Sequence, residues 1–239
     1  MHPVYLKVFL PQKPKTISAA DFQRLCKISE VLVQSKNGPT LLRHSEGDLS
    51  KIWSAKSNLL SSSFFYPYAS RFIQNAQKLL KLGIPTPKIS AYLFEPITGR
   101  RILRYAPLPG LSVRDALHAD EASFTWRDIA RFLHSIHEKG VYFRSIHLGN
   151  IIDLGHSNFG LIDFTDVTFY RSPIPLKRRA HNIHFIYKYQ EDRHKMEQTP
   201  SPWIKESYLE QAPWNDEKIE RFELLFERYQ ASKGYGPQY

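Results

Sequence analysis

The stretch that decides the fold runs from Val141 to Asp166 and reads V-Y-F-R-S-I-H-L-G-N-I-I-D-L-G-H-S-N-F-G-L-I-D-F-T-D. Its apolar start leads into a polar turn, Arg144 to Asn150, and a short β-branched run, Ile151-Ile152, follows. A second turn, residues 155–158, leads into Gly160 to Phe164. Apolar and β-branched runs bounded by Gly, Asn and Ser are typical of strands joined by tight turns. The stretch therefore predicts a loop, a strand, a tight turn and a second strand.

Two polar residues, Asn150 and Asp163, stand at the open end of this predicted hairpin. Pairing of the two strands would hold the two side chains near one another. An amide and a carboxylate supply hard oxygen ligands, which suit Mg²⁺. The hairpin therefore predicts a magnesium site at Asn150 and Asp163.

The same spacing resembles the catalytic loop and metal loop of the protein-kinase-like fold. There an aspartate is followed five residues later by an asparagine, and then by a strand that carries the aspartate of a D-F-G-like motif. Asn150 and Asp163 match the asparagine and the metal aspartate, whereas Ser145 occupies the position of the catalytic aspartate. Residues 146–150, I-H-L-G-N, also resemble the L-H-P-G-N of small-molecule kinases. More closely, residues 30–190 resemble the bacterial lipopolysaccharide kinase family of the Kdo/WaaP type, in the branch often labelled toluene-tolerance proteins.

The resemblance implies an α+β, protein-kinase-like fold of two lobes. A small antiparallel sheet with one main helix would form the N-lobe, residues 1–105, with residues 1–28 as a peripheral extension. A mostly helical C-lobe would follow over residues 106–239. A length of 239 residues is compatible with one domain or two lobes. The lobes are expected to meet near residues 104–110, with Lys51 facing Asp163 across the cleft.

The N-lobe is predicted to contain a meander of three strands, at residues 30–33, 40–43 and 49–53. The third strand carries Lys51, and the resemblance implies that this lysine pairs with the α- and β-phosphates of ATP. The alternative is a surface lysine on an edge strand. The resemblance also implies adenine contacts from the backbone near Tyr105 and Ala106, and an ordinary loop is the alternative there.

A helix is predicted from about Tyr68 to Leu82, because its apolar residues recur with helical spacing. In the kinase interpretation this helix carries a glutamate that pairs with the lysine. The predicted helix has no acidic residue, and Asn75 stands about where the glutamate would be. An amide can hydrogen-bond an ammonium group but cannot neutralise it, so Lys51 would be left freer to pair with phosphate or Asp163.

Further helices are predicted at residues 125–139, from Leu176 onward and at residues 216–229. An irregular segment is expected at 169–175, and a polar connection interrupted by prolines is expected at 191–213. An exposed loop is expected at 54–63, and the tail after Ser232 is expected to be loose. The basic cluster at 177–179 is interpreted either as a solvated face or as a site for an anionic acceptor. Asp166 is the nearest alternative carboxylate to Ser145, and is either a structural partner of a nearby arginine or a surrogate base.

Composition restricts the class of protein. A hydrophobic fraction of 42% and an aromatic fraction of 13% indicate a globular chain. No run approaches the roughly 18 apolar residues of a membrane helix. The single cysteine, Cys26, fits a reducing compartment, and the N-terminus lacks a signal-peptide pattern. The expected location is the bacterial cytoplasm, with peripheral contact to the inner membrane as an extension of that expectation.

Charge is unevenly distributed. Residues 1–105 hold 16 Lys and Arg against 5 Asp and Glu, a formal +11, whereas residues 106–239 hold 17 against 18, a formal −1. The excess is either a solvated basic surface or an attraction to a polyanion such as nucleotide phosphates or an anionic membrane face. No helix-turn-helix, zinc-finger or RNP signature occurs, so a nucleic-acid partner is not expected.

Three functions are compatible with these features. The first is an ATP- and Mg²⁺-dependent kinase that phosphorylates a sugar hydroxyl of the lipopolysaccharide core at the inner membrane. The second is a pseudokinase, a nucleotide-binding or scaffold module in envelope biogenesis, which Ser145 and Asn75 favour. The third is a kinase for a protein or a soluble small molecule.

Overall fold

The computed structural model describes residues 13–54, 68–199 and 203–233. Most of the loop predicted at 54–63 and of the tail predicted after Ser232 lies outside these ranges. Contacts divide the chain into two compact units, Met1–Leu79 with Pro87–Pro107 and Leu80–Thr86 with Leu108–Tyr239. The described residues are α+β, as predicted, and none of their helices combines the length and apolarity needed to cross a membrane. The division predicted between residues 105 and 106 stays a prediction.

The first unit is built on a six-stranded sheet in the order β1-β5-β6-β4-β3-β2. Its strands are β1 (Lys15–Thr16), β2 (Glu30–Ser35), β3 (Gly38–Arg43), β4 (Leu49–Trp53), β5 (Lys88–Glu95) and β6 (Arg100–Ala106). The meander predicted from the sequence corresponds to β2, β3 and β4. The sheet is mixed and not purely antiparallel as expected, because β1 pairs parallel with β5.

One face of this sheet is covered by helix α1 (Ala19–Ile28). The Ser18 hydroxyl accepts a hydrogen bond from the Asp21 backbone N–H and caps the helix. Phe22 is buried against Leu42, Ile52 and Ile102. The stretch expected to be a peripheral extension therefore contributes, where the structure describes it, an edge strand and part of the core. The local pattern could not indicate this, because the partners of Phe22 lie 20 or more residues away.

The main helix of the first unit is α2 (Tyr68–Lys81), close to the predicted bounds. Its buried residues are Ala69, Phe72, Ile73, Asn75, Ala76 and Leu79. Phe72 packs against Trp53 of β4 and Tyr105 of β6, with ring centroids 6.0 Å and 5.8 Å away. Because side chains alternate along a strand, Trp53 and Ile52 point to opposite faces, and α2 covers the face opposite α1.

The second unit contains mostly helices and two small two-stranded sheets. The helices are α3 (Val113–His118), α4 (Trp126–Glu138), α5 (Leu176–Ile186), α6 (Gln190–Glu197), α7 (Ile204–Gln211) and α8 (Asp216–Lys233). The strands are β7 (Val141–Phe143), β8 (Ile151–Asp153), β9 (Phe159–Leu161) and β10 (Val167–Phe169). β7 pairs with β10, and β8 pairs with β9, both antiparallel. The predicted loop, strand, turn and strand are thus present, with β9 beginning and ending earlier than expected.

Two predictions about connecting segments can be compared with the structure. Residues 170–175 of the segment expected to be irregular at 169–175 contain no helix or strand, whereas Phe169 ends a strand, β10, whose pairing partner β7 lies more than 20 residues earlier. The polar connection predicted at 191–213 contains most of α6 and all of α7. The buried residues of these two helices include Asp192, Ser207 and Tyr208. A helix is predicted from a stripe of apolar residues, and here polar side chains occupy part of that stripe.

Candidate functional site

Lys51 lies on β4, which has β3 on one side and β6 on the other. It is opposite Leu41 and Leu103 in the two ladders. The edge-strand alternative for Lys51 is therefore wrong. Its side chain is half-buried, lies 5.9 Å from the centre of the Trp53 ring and shares with Trp53 the face of the sheet that α2 covers. The lysine is thus held on the interior of the first unit's sheet.

Three other residues predicted for nucleotide contact or lysine pairing also lie in the first unit. Asn75 is buried on α2, a helix without any acidic residue. Tyr105 is buried near the end of β6, where it is opposite Leu49 and Ile89. Ala106 ends β6 opposite Lys88. Tyr105 and Ala106 therefore belong to a strand, and the alternative that they lie in an ordinary loop is wrong.

The loop between β7 and β8 is closed by hydrogen bonds within itself. The Asn150 side-chain amide donates to the Ser145 carbonyl over 3.4 Å, and the Asn150 backbone N–H donates to the His147 carbonyl over 2.9 Å. His147 Nδ1 accepts from the Gly149 N–H at 3.1 Å and caps a single 3₁₀ turn, Leu148–Asn150. Because the amide nitrogen of Asn150 is used to close the loop, its oxygen is the end that can coordinate a cation.

Asp163 reaches the same place through the β8–β9 hairpin. The ladder pairs Ile151 with Leu161, and one step further the Ile162 N–H donates to the Asn150 carbonyl over 3.1 Å. Asp163, the next residue, is exposed and has a left-handed backbone conformation with φ of 55°. Phe164, which follows, is fully buried. Asp163 is thus exposed between a buried Phe164 and Ile162, whose N–H bonds to the Asn150 carbonyl. That the Asn150 and Asp163 side chains converge stays a prediction.

The electrostatics of His147 connect it with this site. Burial first, and then the charges of Arg114 and Lys188, lower its pKa to about 4, while Asp163 acts in the opposite direction. The imidazole is therefore neutral near pH 7. The Nδ1 atom of this neutral ring already accepts a hydrogen bond from the Gly149 N–H, so His147 stabilises the conformation of the loop.

Asp166 and Ser145 lie together at the start of the loop. Burial raises the pKa of the Asp166 carboxyl, against the influence of the neighbouring Ser145 side chain and of Arg144. Arg144 Nε is 3.7 Å from Asp166 Oδ2. The other oxygen, Oδ1, is buried and has no hydrogen-bond partner among the residues that the structure describes. Asp166 is therefore an ion-pair partner of Arg144, as one alternative held. It is also a carboxylate with a raised pKa near Ser145.

A supporting network that the sequence did not reveal lies beneath the 3₁₀ turn. Arg114 on α3 donates two 2.7 Å hydrogen bonds to Asp192 on α6, whose side chain is 1% exposed. The guanidinium also stacks on Tyr189, 4.2 Å from the ring centre, and Tyr189 meets the edge of His147 with centroids 5.0 Å apart. Residues 114 and 192 are 78 positions apart, so no local motif could link them.

A second network holds the end of β7, where the loop begins. The Asn182 side chain donates to the Phe143 carbonyl over 2.9 Å, and its oxygen lies 3.2 Å from a ring nitrogen of His137. The other ring nitrogen of His137 is 2.8 Å from the Tyr208 hydroxyl. Burial lowers the pKa of His137 to about 3, so the ring is neutral and joins three elements by hydrogen bonds. Helix α4 is thereby linked through Asn182 to the end of β7, where the loop begins.

Removal of Asp192 is expected to destabilise the protein substantially. The substitution Asp192→Ala leaves the Arg114 charge without its bidentate partner, and breaking a buried pair costs about 3–5 kcal/mol. Because the Arg114 side chain is 21% exposed, solvent screening reduces the expected loss to about 2–4 kcal/mol. Urea denaturation measures it. The control is Glu210→Ala, which breaks the exposed Arg127–Glu210 pair and is expected to cost less than about 1 kcal/mol. Equal losses in the two variants would contradict the supporting role of Asp192.

The donor chemistry at Asn150 and Asp163 fits Mg²⁺, because one amide oxygen and one carboxylate are hard ligands of the kind this ion prefers. Mg²⁺ is commonly bound by one or two protein groups together with substrate phosphates. No group of three or more His, Cys, Asp or Glu residues that could hold a metal occurs in the described part of the chain. Asn150 and Asp163 are thus two donors that fit part of a Mg²⁺ ligand set.

Comparisons with known proteins add little to this geometry. No protein-family profile matches the chain, and no curated protein matches it. Two solved structures of WbdD are similar, one described as monomeric WbdD and the other as the bifunctional kinase-methyltransferase WbdD. The first is 19% identical over 80% of this chain and 44% of WbdD, and the second 18% identical over 82% and 42%, each with a TM-score of 0.47. The chain thus spans less than half the length of either structure.

Proposed function

We propose that the chain is an ATP-dependent phosphotransferase with a two-lobe, protein-kinase-like fold. The observation that carries the proposal is the hydrogen bond from the Ile162 N–H to the Asn150 carbonyl, which ties the residue before Asp163 to Asn150. The Asn150 amide closes the loop onto Ser145, and Asp163 lies in a left-handed turn before a buried Phe164. Phosphoryl transfer depends mainly on positioning and on charge neutralisation, and these two residues supply ligands for a cation that does the latter. Bound Mg²⁺ would neutralise the phosphate charge.

Each remaining residue has a role in the proposal. Lys51 binds phosphate oxygens through its ammonium group, and the backbone near Tyr105 and Ala106 accommodates the adenine. Ser145 cannot accept a proton near neutral pH, because a hydroxyl is far too weak a base. Asp166, beside it, can accept the proton of the acceptor hydroxyl, directly or through the Ser145 hydroxyl. The raised pKa of Asp166 supports this role, since a base is most effective when its pKa approaches the working pH.

A sugar hydroxyl of the lipopolysaccharide core is the acceptor that we propose. Its support is the resemblance of residues 30–190 to the lipopolysaccharide kinases of the Kdo/WaaP type. Purified protein with Mg·ATP is expected to release ADP when core oligosaccharide is added, and to release much less with generic protein substrates. Equal ADP release with protein substrates would shift the assignment to a protein kinase.

A pseudokinase is the second candidate, and two observations favour it. Ser145 replaces the catalytic aspartate, and the buried residue on α2 nearest the expected glutamate position is the uncharged Asn75. Thermal unfolding with and without ATP and Mg²⁺ separates the possibilities. Stabilisation by Mg·ATP without ADP release in the presence of acceptors would favour a nucleotide-binding scaffold over an enzyme.

Peripheral membrane contact is a further part of the proposal, supported by the formal +11 of residues 1–105. Each Lys or Arg near an anionic surface contributes on the order of 1 kcal/mol, and the attraction fades within a Debye length. The protein is expected to cosediment with anionic but not zwitterionic liposomes at low salt, and to dissociate at high salt. Charge reversal at the exposed Lys13, Lys15, Lys78 and Lys81 should weaken binding. Binding that is insensitive to salt would rule out the charge asymmetry as its cause.

A further inference from the structure

A surface region of the second unit carries positive charge with no acidic residue in its sequence. Between Val167 and Gln190 the chain has no aspartate or glutamate. Arg171, Lys177 and Arg178 are exposed in this segment, whereas Arg179 is buried and donates a 2.6 Å hydrogen bond to Glu138. A solvated surface normally intersperses both signs of charge. Lys188, near the other end of the segment, is exposed as well. We call Arg171, Lys177 and Arg178 the basic patch.

Arg178 is the fixed member of the basic patch. Its Nη1 donates to the Tyr142 hydroxyl over 3.4 Å, and its guanidinium carbon lies 4.8 Å from the centre of the Tyr142 ring. The Tyr170 phenol also influences the pKa of Arg178, which marks it as a second phenol near the guanidinium. Both partners are phenols, so the positive charge of Arg178 is oriented without being neutralised. A guanidinium has five N–H donors in a planar fork, and two phenol oxygens leave donors for a bidentate oxyanion.

The backbone that carries the basic patch is anchored on both sides of Arg171. The Tyr170 N–H donates to the Gly140 carbonyl over 2.8 Å, and the Ile174 N–H donates to the His137 carbonyl over 3.0 Å. Gly140 has a φ of 75°, and a Cβ there would lie 2.4 Å from the Tyr170 carbonyl oxygen. Only glycine permits this close approach. Arg171 therefore lies in a short segment whose two ends are hydrogen-bonded to the region where α4 ends. Tyr170 bonds to Gly140, just after the helix, and Ile174 bonds to His137, in its last turn.

The basic patch lies next to the residue in the catalytic-aspartate position. Tyr142 is on β7, which leads directly into Arg144 and Ser145. The charges of Arg178 and Arg144 both lower the pKa of the Tyr142 phenol, whereas burial, the largest influence, raises it. An anion bound by Arg178 would thus lie near the loop where an acceptor hydroxyl is proposed to react.

Local helix preferences oppose the placement of these cations. Lys177 and Arg178 lie in the first turn of α5, which has no acidic residue there and no side-chain cap. Positive side chains are unfavourable at this end of a helix because the macrodipole is positive there. Residues that oppose a local preference are expected more often where function requires them.

We propose that Arg178, assisted by Arg171 and Lys177, binds an oxyanion carried by the acceptor, a phosphate or a carboxylate group on a sugar. The proposal depends on the phosphotransferase function in one respect only. That function identifies the molecule that carries the anion as the acceptor of the phosphoryl group. The site itself is formed by residues of the second unit and does not depend on nucleotide binding.

Titration calorimetry of the full-length protein with inorganic phosphate, glucose 6-phosphate, glucuronate and glucose tests the proposal. Wild type is expected to bind inorganic phosphate and at least one of the anionic sugars, and not glucose. The substitution Arg178→Gln is expected to weaken anion binding about tenfold or more, because hydrogen bonds to charged groups are strong. The control Arg221→Gln, at an exposed position of α8, should change it by less than about twofold. The stronger of the two sugar ligands identifies the anion as phosphate or carboxylate.

Two comparisons keep the result separate from the phosphotransferase assignment. The variant Asp163→Asn should retain phosphate binding, and Arg178→Gln should retain Mg·ATP binding. Should Arg178→Gln fail to fold, the double variant Arg171→Gln with Lys177→Gln is expected to weaken anion binding as well. Undiminished phosphate binding in the folded variants, or no phosphate binding by wild type, overturns the proposal. Loss of anion binding in Arg178→Gln together with no Mg·ATP binding by wild type would leave the anion site standing and remove the kinase assignment.

Discussion

Replacement of Asp163 by asparagine is expected to abolish Mg²⁺-dependent nucleotide binding. The substitution removes one negative charge where a divalent cation is proposed to bind. Two unit charges about 4 Å apart interact by about 4 kcal/mol near a protein surface. Because Asp163 is exposed, we expect a smaller loss, which still corresponds to roughly a 100-fold weaker Mg·ATP affinity. Calorimetric titration with ATP in the presence and absence of Mg²⁺ measures it.

Asparagine is the appropriate replacement because of the backbone at this position. Asp163 has a φ of 55°, a conformation that asparagine tolerates better than other side chains except glycine. Asp120 provides a matched control, since it is also an aspartate with a positive φ, of 54°, and its side chain is 88% exposed. We expect Asp120→Asn to bind Mg·ATP as wild type does. Undiminished affinity in Asp163→Asn would reject Asp163 as the metal ligand.

Parts of the fold are predictable because their signals are local. β4 was predicted with its actual bounds, since its pattern is framed by a glycine-containing turn and one of its two partners, β3, is its hairpin neighbour. Helix α2 and the β8–β9 hairpin are also encoded within short windows, by helical spacing in one case and by turn residues in the other. The hairpin was therefore accessible from sequence, and the convergence of Asn150 and Asp163 at its open end stays a prediction.

The missed features depend on long-range pairs. The Arg114–Asp192 pair, the β7–β10 ladder and the burial of Phe22 each join segments that are far apart in the chain. Helices α6 and α7 were missed because polar residues such as Asp192 and Ser207 are buried there, in positions that a hydrophobic pattern treats as solvent-facing. Polar burial is tolerated only with partners, and the partners cannot be identified before the fold is known.

The second large effect is expected at Asp166. The substitution Asp166→Asn should lower the rate of phosphoryl transfer by about 10²–10⁴-fold, the usual contribution of a general base, with little change in Mg·ATP affinity. Steady-state kinetics with saturating ATP measure the loss. Arg144→Gln is the control, because it breaks the same ion pair but leaves the carboxylate in place. A purely structural role would make these two variants similar, whereas a base would make Asp166→Asn far slower.

The pH dependence follows from the direction of the shift. Burial raises the pKa of Asp166, and the carboxylate is the form that accepts a proton, so wild-type activity should rise as pH increases through that raised pKa. The same shift makes the folded protein favour the protonated form. Its contribution to stability is therefore present at low pH and is lost as pH rises through the folded-state pKa. Asp166→Asn should accordingly lose the acidic limb of the activity profile without losing stability at neutral pH.

The substitution Ser145→Asp distinguishes a missing base from a relocated one. If Asp166 already accepts the proton, a second carboxylate beside it introduces like-charge repulsion and raises the pKa of at least one of the pair. Activity should then be unchanged or lower than in wild type. In the double variant Ser145→Asp with Asp166→Asn, the repulsion is absent and the new carboxylate stands in the kinase position, so partial recovery relative to Asp166→Asn is expected. A higher rate in the single variant Ser145→Asp would show instead that the loop lacks a base and that Asp166 serves only to pair with Arg144.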